Sequence, residues 1–200
     1  MTAPLLVSRS LALRDRVAAA IVGALEGELG VLELRRLAAT FSVPPNEVDA
    51  IARRLQCGFA VAEAYHREAP WLAAALERAL VQGALLFQSG LFFEAHEVLE
   101  AVWYELEEPQ RTVVQGLIQI AVGMHHLGHE NPRGAVSLFA SGRAKLARQG
   151  PVFEGVEVSA LLVGLVTWEV AAVAGRWSMT LALPPFVVRT AAGHRIGAAF

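Results

Sequence analysis

Residues 91–108 read LFFEAHEVLEAVWYELEE, and residues 111–128 read RTVVQGLIQIAVGMHHLG. The apolar residues of both stretches recur at helical spacing, and the short connection around Glu107 predicts two helices that pack antiparallel. Further along, Asn131 and Pro132 suit the N-cap and the first position of a third helix. Only residues 186–190 resemble a strand, and we expect that strand to be a lone one. The sequence therefore predicts an all-α fold, a helical bundle.

The composition limits the class of protein. The chain has 200 residues, of which 54% are hydrophobic, so a substantial core can form and a disordered chain is excluded. A single cysteine, Cys57, excludes a disulfide framework and a Cys-rich zinc module. The net charge of −2 argues against a protein that wraps nucleic acid.

The chain has no segment typical of secretion or of membrane insertion. Its first ten residues lack the basic and apolar regions of a signal peptide. The most apolar stretch, VSALLVGLVTW at residues 158–168, is flanked by Glu157 and Glu169 and is too short for a bilayer. We expect a buried core helix there, no membrane partner and a cytoplasmic protein.

Two domains are predicted, a helical module at residues 1–69 and a helical bundle at residues 70–200. The border lies near Pro70, because proline resists continuation of a helix. In the first domain we expect helices at residues 11–29, 32–41 and 46–57. The stretch LAATFSVPPNEVDAIARRL, residues 37–55, has the spacing of a helix-turn-helix.

The second helix of this helix-turn-helix-like segment has an acidic start. Asn46, Glu47 and Asp49 come where a DNA reader presents basic or amide groups. Arg53 and Arg54 follow only a turn later. Because carboxylates repel phosphate, we do not expect this segment to bind DNA. A packing or dimerisation module, and with it a homodimer, is the better expectation.

Polar residues lie on the apolar face of the helix at residues 91–108. His96, Glu100 and Trp103 fall within one narrow stripe, and Glu97 lies on its flank. The remaining acids are expected to point to solvent; they are Glu94, Glu105 and Glu108. A carboxylate is rarely buried without a partner, so the stripe calls for polar groups opposite it.

The next helix has polar groups at the levels that the stripe requires. Gln115, Gln119 and His126 share a face, with His129 near it and His125 to the side. In an antiparallel hairpin, His96 is level with Gln119, and Glu100 is level with Gln115. The sequence therefore predicts a His/Glu/Gln cluster between the two helices.

The pattern FFEAHEVLEAVW, then QGLIQIAVGMHHL, then NPRGA resembles the domain-of-unknown-function 309 family over about residues 72–185. The matching positions are Phe93, His96, Glu97, Glu100, Trp103, Gln115, Gly116, Gln119, His126, Asn131 and Gly134. Two positions depart from the family pattern, which usually has glycine where this chain has Glu130 and often tyrosine where it has His125. The resemblance implies a small all-helical fold and no particular activity.

A divalent metal is one ligand that this pattern suits. The stretch HEVLE, residues 96–100, is similar to the HExxH zinc helix but has Glu100 in place of the second histidine. An i,i+4 His/Glu pair can bind a metal, so His96 and Glu100 are candidate ligands. A third ligand is needed; Gln119 is a weak one, and His126 lies too far along the axis.

Two further interpretations stay open. A metal-free pocket for a small molecule would use Trp103, Gln115, Gln119, His126 and Asn131. In either ligand-binding case hydrolase-like chemistry is conceivable, with Glu97 or Glu100 as general base and His96 as a ligand or acid. Alternatively, the cluster is a structural network in a non-enzymatic interaction or regulatory protein. The sequence does not decide whether the protein is an enzyme.

Overall fold

The computed structural model describes residues 11–27, 40–41, 43, 46–69 and 72–197, and it confirms the all-α fold class. The described part has seven helices and one two-stranded sheet. The helices are α1 Leu11–Leu25, α2 Val48–Glu68, α3 Ala75–Gln88, α4 Phe92–Trp103, α5 Gln110–Gly128, α6 Pro132–Leu146 and α7 Val158–Val173. The strands are β1 Val188–Arg189 and β2 Arg195–Ile196.

The chain divides into two compact units, one ending at Trp71 and the other beginning at Leu72. Their interpretation as two domains stays a prediction. The first helix of the predicted helix-turn-helix lies almost entirely outside the described residues, so that motif also stays a prediction. Its second helix was predicted too short, since α2 runs from Val48 to Glu68 instead of ending at residue 57.

A glycine explains the error in the length of α2. We expected the helix to end before Gly58, but Gly58 lies inside it, where a Cβ atom would come within 2.5 Å of the Ile21 side chain of α1. The missing side chain is what lets the two helices approach. Closer to the C-terminal ends of both helices, His66 Nε2 donates to the Ala24 carbonyl oxygen at 2.8 Å.

The predicted end of α1 is also wrong, and a glycine is again involved. The helix ends at Leu25 rather than at residue 29, and Gly27 then has a φ of +74°, the left-handed conformation common after a helix end. The Gly27 amide donates to the Ala24 carbonyl oxygen at 3.2 Å, which satisfies one carbonyl of the last turn.

In the second unit, each of the helices α3 to α7 packs on the next one along the chain. Glycines allow the closest approaches. A Cβ atom on Gly142 of α6 would lie 2.7 Å from the Gly116 carbonyl oxygen of α5, and one on Gly123 would overlap the Phe139 ring. This unit carries all the candidate site residues.

The predicted core helix, α7, is buried on one face only. Leu161, Leu165 and Trp168 are fully buried, as expected. The opposite face exposes four valines, which is contrary to that expectation; they are Val163, Val166, Val170 and Val173. In the described part of the chain, no helix combines the length and the apolar character that a membrane span requires.

The C-terminal segment folds back over the bundle. The strand expected at residues 186–190 is present as the shorter β1, but it is not alone, because β1 pairs antiparallel with β2. Side chains of the bundle fasten the segment to it: Gln88 Nε2 donates to the Pro184 carbonyl oxygen at 2.8 Å, and Glu77 Oε1 accepts from the Ala191 amide at 2.8 Å. Glu157 forms a bidentate pair with Arg195, at 2.8 and 2.9 Å.

The Glu157 pair makes the acid stability of this unit testable. The hydrogen bond from Arg195, together with the charges of Arg195 and Arg189, lowers the pKa of Glu157. A lowered pKa in the folded state means that the pair stabilises the fold above the ordinary glutamate pKa of about 4.3 and is lost as the pH falls through the lowered value. We expect Glu157→Gln to unfold at lower urea concentration than wild type at pH 7 and to approach wild type below about pH 4.

The control is Glu105→Gln, since Glu105 is exposed. Its urea midpoint should follow wild type at every pH. A constant difference between Glu157→Gln and wild type from pH 7 to pH 3 would contradict the assigned role of the pair.

Candidate functional site

His96 of α4 has one ring nitrogen tied to the backbone. Its Nδ1 lies 2.5 Å from the Phe93 carbonyl oxygen, and its ring packs on the Phe93 ring with centres 4.7 Å apart. A carbonyl oxygen can only accept, so Nδ1 carries the hydrogen. Nε2 is the nitrogen that remains for other contacts.

Two carboxylates surround this Nε2. Glu97 Oε1 lies 3.2 Å from it and Glu100 Oε2 lies 3.9 Å from it. One ligand atom from each of the three residues falls within 4.8 Å of the others. The i,i+4 spacing places Glu100 on the face of His96, as predicted, whereas Glu97 was placed on the flank. The structure therefore adds Glu97 to the two candidate ligands.

The three side chains form an accessible site at the surface of α4. The side chain of His96 is 15% exposed, and those of Glu97 and Glu100 are 43% and 41% exposed. The expectation of a buried carboxylate at Glu100 is therefore wrong. Glu100 Oε1 also accepts a long hydrogen bond from the Tyr104 hydroxyl, at 3.4 Å. One imidazole nitrogen and two carboxylates can together hold one divalent cation.

The glutamines of α5 do not join this site. Gln119 Oε1 accepts from Lys145 Nζ of α6 at 3.0 Å, so the predicted pairing of Gln119 with His96 is wrong. Glu100 has its contacts on its own helix, and the predicted pairing with the half-buried Gln115 is not formed either. The polar cluster expected between α4 and α5 is therefore not assembled as predicted.

The error concerns which face of α5 meets which neighbour. The prediction that Gln115, Gln119 and His126 share one face of α5 fits the contacts of Gln119 and His126, but these contacts are made with α6. His126 Nδ1 lies 2.8 Å from Asn131 Nδ2, and Gly116 meets Gly142. Pairing residues at equal heights of two antiparallel helices fixes their positions along the helix axis but not the direction in which each side chain points. The prediction therefore could not show whether these residues of α5 face α4 or α6.

Asn131 links the end of α5 to the start of α6. Its Oδ1 accepts from the Gly134 amide at 3.0 Å, which confirms the predicted N-cap. Its Nδ2 therefore faces His126 and can only donate, so His126 Nδ1 must accept. A Cβ atom on Gly134 would come within 2.7 Å of Asn131 Nδ2 and 3.0 Å of His126 Nδ1. The glycine keeps space for this bond.

The surroundings of His126 favour its neutral form. Burial lowers its pKa, and the nearby His129 lowers it further. The bond from Asn131 acts in the same direction, because a proton on Nδ1 would face a donor. His126 and Asn131 thus form a fixed polar contact between helices, separate from the His96 site.

Trp103 pairs with the start of α5. Its Nε1 donates to the Arg111 carbonyl oxygen at 3.1 Å, and the Arg111 guanidinium lies 4.6 Å from the centre of its ring system. One small cleft in the described residues admits no water molecule and involves none of the predicted pocket residues. Its lining is Leu76, Leu80, Gln110, Val113, Val114, Phe153, Glu154 and Val156. The small-molecule pocket stays a prediction.

Sequence reasoning misplaced one further residue and missed the contacts of another. Glu94, expected in solvent, is fully buried. His125 lies to the side of the face that carries His126, as expected, and it packs on Phe93 with ring centres 5.4 Å apart and on His129 at 4.3 Å. Phe93 thus lies between the rings of His96 and His125. The aromatic residue three positions before His96 was the signal that could have found this contact.

Comparison with known proteins confirms the resemblance inferred from the motifs. Residues 80–138 match the family model described as Domain of unknown function (DUF309), so this segment is similar to that family. The match runs from within α3 to the middle of α6 and includes His96, Glu97, Glu100, His126 and Asn131. No curated protein matches the chain.

The structure gives a physical meaning to one departure from the family pattern. Glu130, where the family usually has glycine, has a φ of +57°. This left-handed conformation turns the chain between α5 and α6 and is costly for a residue with a side chain. A glycine would adopt it without that cost.

We expect Asn131→Asp to raise the pKa of His126, measured by NMR titration of its ring signals. The carboxylate keeps an acceptor for the Gly134 amide and replaces the donor that faces His126 by an acceptor. Asn131→Ser is the neutral control, and it should raise the pKa less. An unchanged pKa in both variants would show that the Asn131 amide does not hold the ring neutral.

We expect Glu130→Gly to raise the free energy of unfolding by about 0.5–1 kcal/mol in urea melts, because glycine adopts the left-handed conformation freely. Glu105→Gly replaces an exposed glutamate outside the positive-φ region and should lower it by about 0.4–1 kcal/mol, because glycine gains backbone freedom in the unfolded chain. Equal effects of the two substitutions would contradict a conformational cost at Glu130.

Proposed function

We propose that this protein binds a divalent cation at His96, Glu97 and Glu100. The observation that carries the proposal is the hydrogen bond from His96 Nδ1 to the Phe93 carbonyl oxygen. Because that bond uses the ring hydrogen, the lone pair of Nε2 is directed to the same small volume as the two carboxylates. Metal-binding histidines commonly donate their second nitrogen to a backbone carbonyl in this way.

The charge of the site supports a cation as its ligand. The two carboxylates carry a formal charge of −2, which a divalent ion neutralises, and together with His96 Nε2 they offer three ligand atoms. One nitrogen and two oxygens suit zinc or manganese better than calcium, which prefers an all-oxygen set. The competing occupant is a proton on Nε2, which would make His96 an imidazolium paired with both glutamates.

Hydrolase-like chemistry is the finer form of the proposal. Three protein ligands leave coordination positions open, and a bound metal would lower the pKa of a water at such a position. In this arrangement His96 and Glu100 act as ligands. Glu97, the most exposed of the three, is the residue that can serve as ligand or as general base.

The alternative, a non-enzymatic interaction protein with structural polar groups, applies to the other half of the predicted cluster. The contacts of Gln119 with Lys145 and of His126 with Asn131 hold α5 on α6, as a structural network would. The two glutamates at His96 are not assigned a structural role of this kind. A cytoplasmic location and the absence of DNA among the partners remain part of the proposal.

The test is calorimetric titration of tag-free, chelator-treated protein with Zn²⁺ and with Mn²⁺. We expect one ion per chain, loss of binding in His96→Ala, and at least about tenfold weaker binding in Glu97→Gln and in Glu100→Gln.

Two control variants locate the binding. Glu105→Gln removes an exposed acid away from the site and should bind as wild type does. His129→Ala removes the exposed i,i+4 partner of His125, a pair that could bind metal by itself. Binding that is lost in His129→Ala and kept in His96→Ala would contradict the proposed site.

A further inference from the structure

Arg111, in the first turn of α5, has a guanidinium that pairs with no carboxylate among the described residues. It lies instead over the ring system of Trp103, 4.6 Å from its centre. Glu107 precedes Arg111 by four residues, a spacing that favours an ion pair on a helix, and its carbonyl oxygen accepts from the Arg111 amide. The side chain is nevertheless directed to α4 rather than to this glutamate.

Trp103 holds the guanidinium in a defined position. The indole Nε1 donates to the Arg111 carbonyl oxygen at 3.1 Å, so the ring is fixed to the backbone of the residue that lies over it. The ring offers no oxygen to the five N–H donors of the guanidinium. An arginine that stacks on an aromatic ring keeps a planar fork of donors, which matches the two oxygens of a carboxylate. Arg111 is therefore suited to bind an anion.

A continuous line of contacts joins this guanidinium to the cation site. The Trp103 ring packs on the Tyr104 ring with centres 5.1 Å apart, and the Tyr104 hydroxyl donates to Glu100 Oε1 at 3.4 Å. Glu100 is one of the three residues of the cation site. Trp103 follows His96 by seven residues, which is about 10 Å along α4. One small molecule can span this distance, whereas a single carboxylate cannot.

We propose that the ligand of the cation site is a small organic acid. Its carboxylate binds Arg111, and a second oxygen group, about 10 Å away, binds the cation. This inference rests on the proposed function, because the carboxylates of Glu97 and Glu100 repel an anion until a cation neutralises them. Arg111 supplies one positive charge, which matches a carboxylate better than a doubly charged phosphate group. Arg111 thus selects the ligand by its charge and its length.

Calorimetric titration of the Mn²⁺-loaded protein with suberate and with octanoate tests this assignment. The two acids have equally long chains, but only suberate has a second carboxylate that can reach Arg111 while the first binds the cation. We expect suberate to bind at least about tenfold more tightly than octanoate, as one charge-assisted pair predicts. Succinate is too short to span the two groups and should bind more weakly than suberate.

Three variants locate the second carboxylate. Arg111→Met removes the charge but keeps an apolar side chain over Trp103, so it should lose the preference for suberate and still bind Mn²⁺. Arg111→Lys keeps the charge without the fork and should retain only part of the preference. The control is Arg133→Met, which removes an exposed arginine in the first turn of α6 and should bind both acids as wild type does.

The outcomes separate this inference from the cation site itself. Absence of Mn²⁺ binding in wild type would overturn both. Mn²⁺ binding without a preference for suberate, or with a preference that survives in Arg111→Met, would overturn the organic-acid assignment and leave the cation site intact. A lower melting temperature of Arg111→Met with an unchanged preference would show that Arg111 serves only to pack on Trp103. If Arg111→Met does not fold, an undiminished preference in Arg111→Lys overturns the assignment.

Discussion

The contact between Gly116 of α5 and Gly142 of α6 determines how the polar residues of this protein are distributed. The two backbones come so close that a Cβ atom on Gly142 would lie 2.7 Å from the Gly116 carbonyl oxygen. This approach turns the face of α5 that carries Gln119 and His126 onto α6. As a result, Gln119 bonds to Lys145 and His126 bonds to Asn131. His96 instead lies beside the two glutamates of its own helix.

The polar groups consequently differ in chemistry as well as in place. In the α5–α6 contacts a donor meets an acceptor: an ammonium group meets an amide oxygen, and an amide nitrogen meets a neutral imidazole. Such pairs are complete and serve packing. At His96, by contrast, one imidazole nitrogen and two carboxylates bring ligand atoms within 4.8 Å of one another. Because of this difference, we assign a structural role to the α5–α6 contacts and propose cation binding at the His96 site.

The sequence predicts the helices well because each has its apolar residues at helical spacing, and it predicts the N-cap at Asn131 because the capping atoms lie within four residues. It also brings His96 and Glu100 together, since one helix fixes both. It fails where a second element decides the outcome. Gly58 has the character of a helix end in the sequence, but in the structure it lies inside a helix against Ile21. Glu94 is predicted to be solvated, but neighbours from elsewhere in the chain bury it. The direction in which Gln119 points depends on a glycine contact that no periodicity reveals.

The C-terminal segment affects how this unit is made in the cell. The hydrogen bond between Glu77 and the Ala191 amide joins residues 114 positions apart, between the first helix of the unit and its terminal hairpin. The helix pairs α3–α4, α4–α5 and α5–α6 need only local contacts, so they can form while the chain is still being synthesised. The last layer over α3 has to wait until residues 184–197 have left the ribosome. Until then the apolar residues that Phe186 and Val188 cover stay open to chaperones and to other nascent chains.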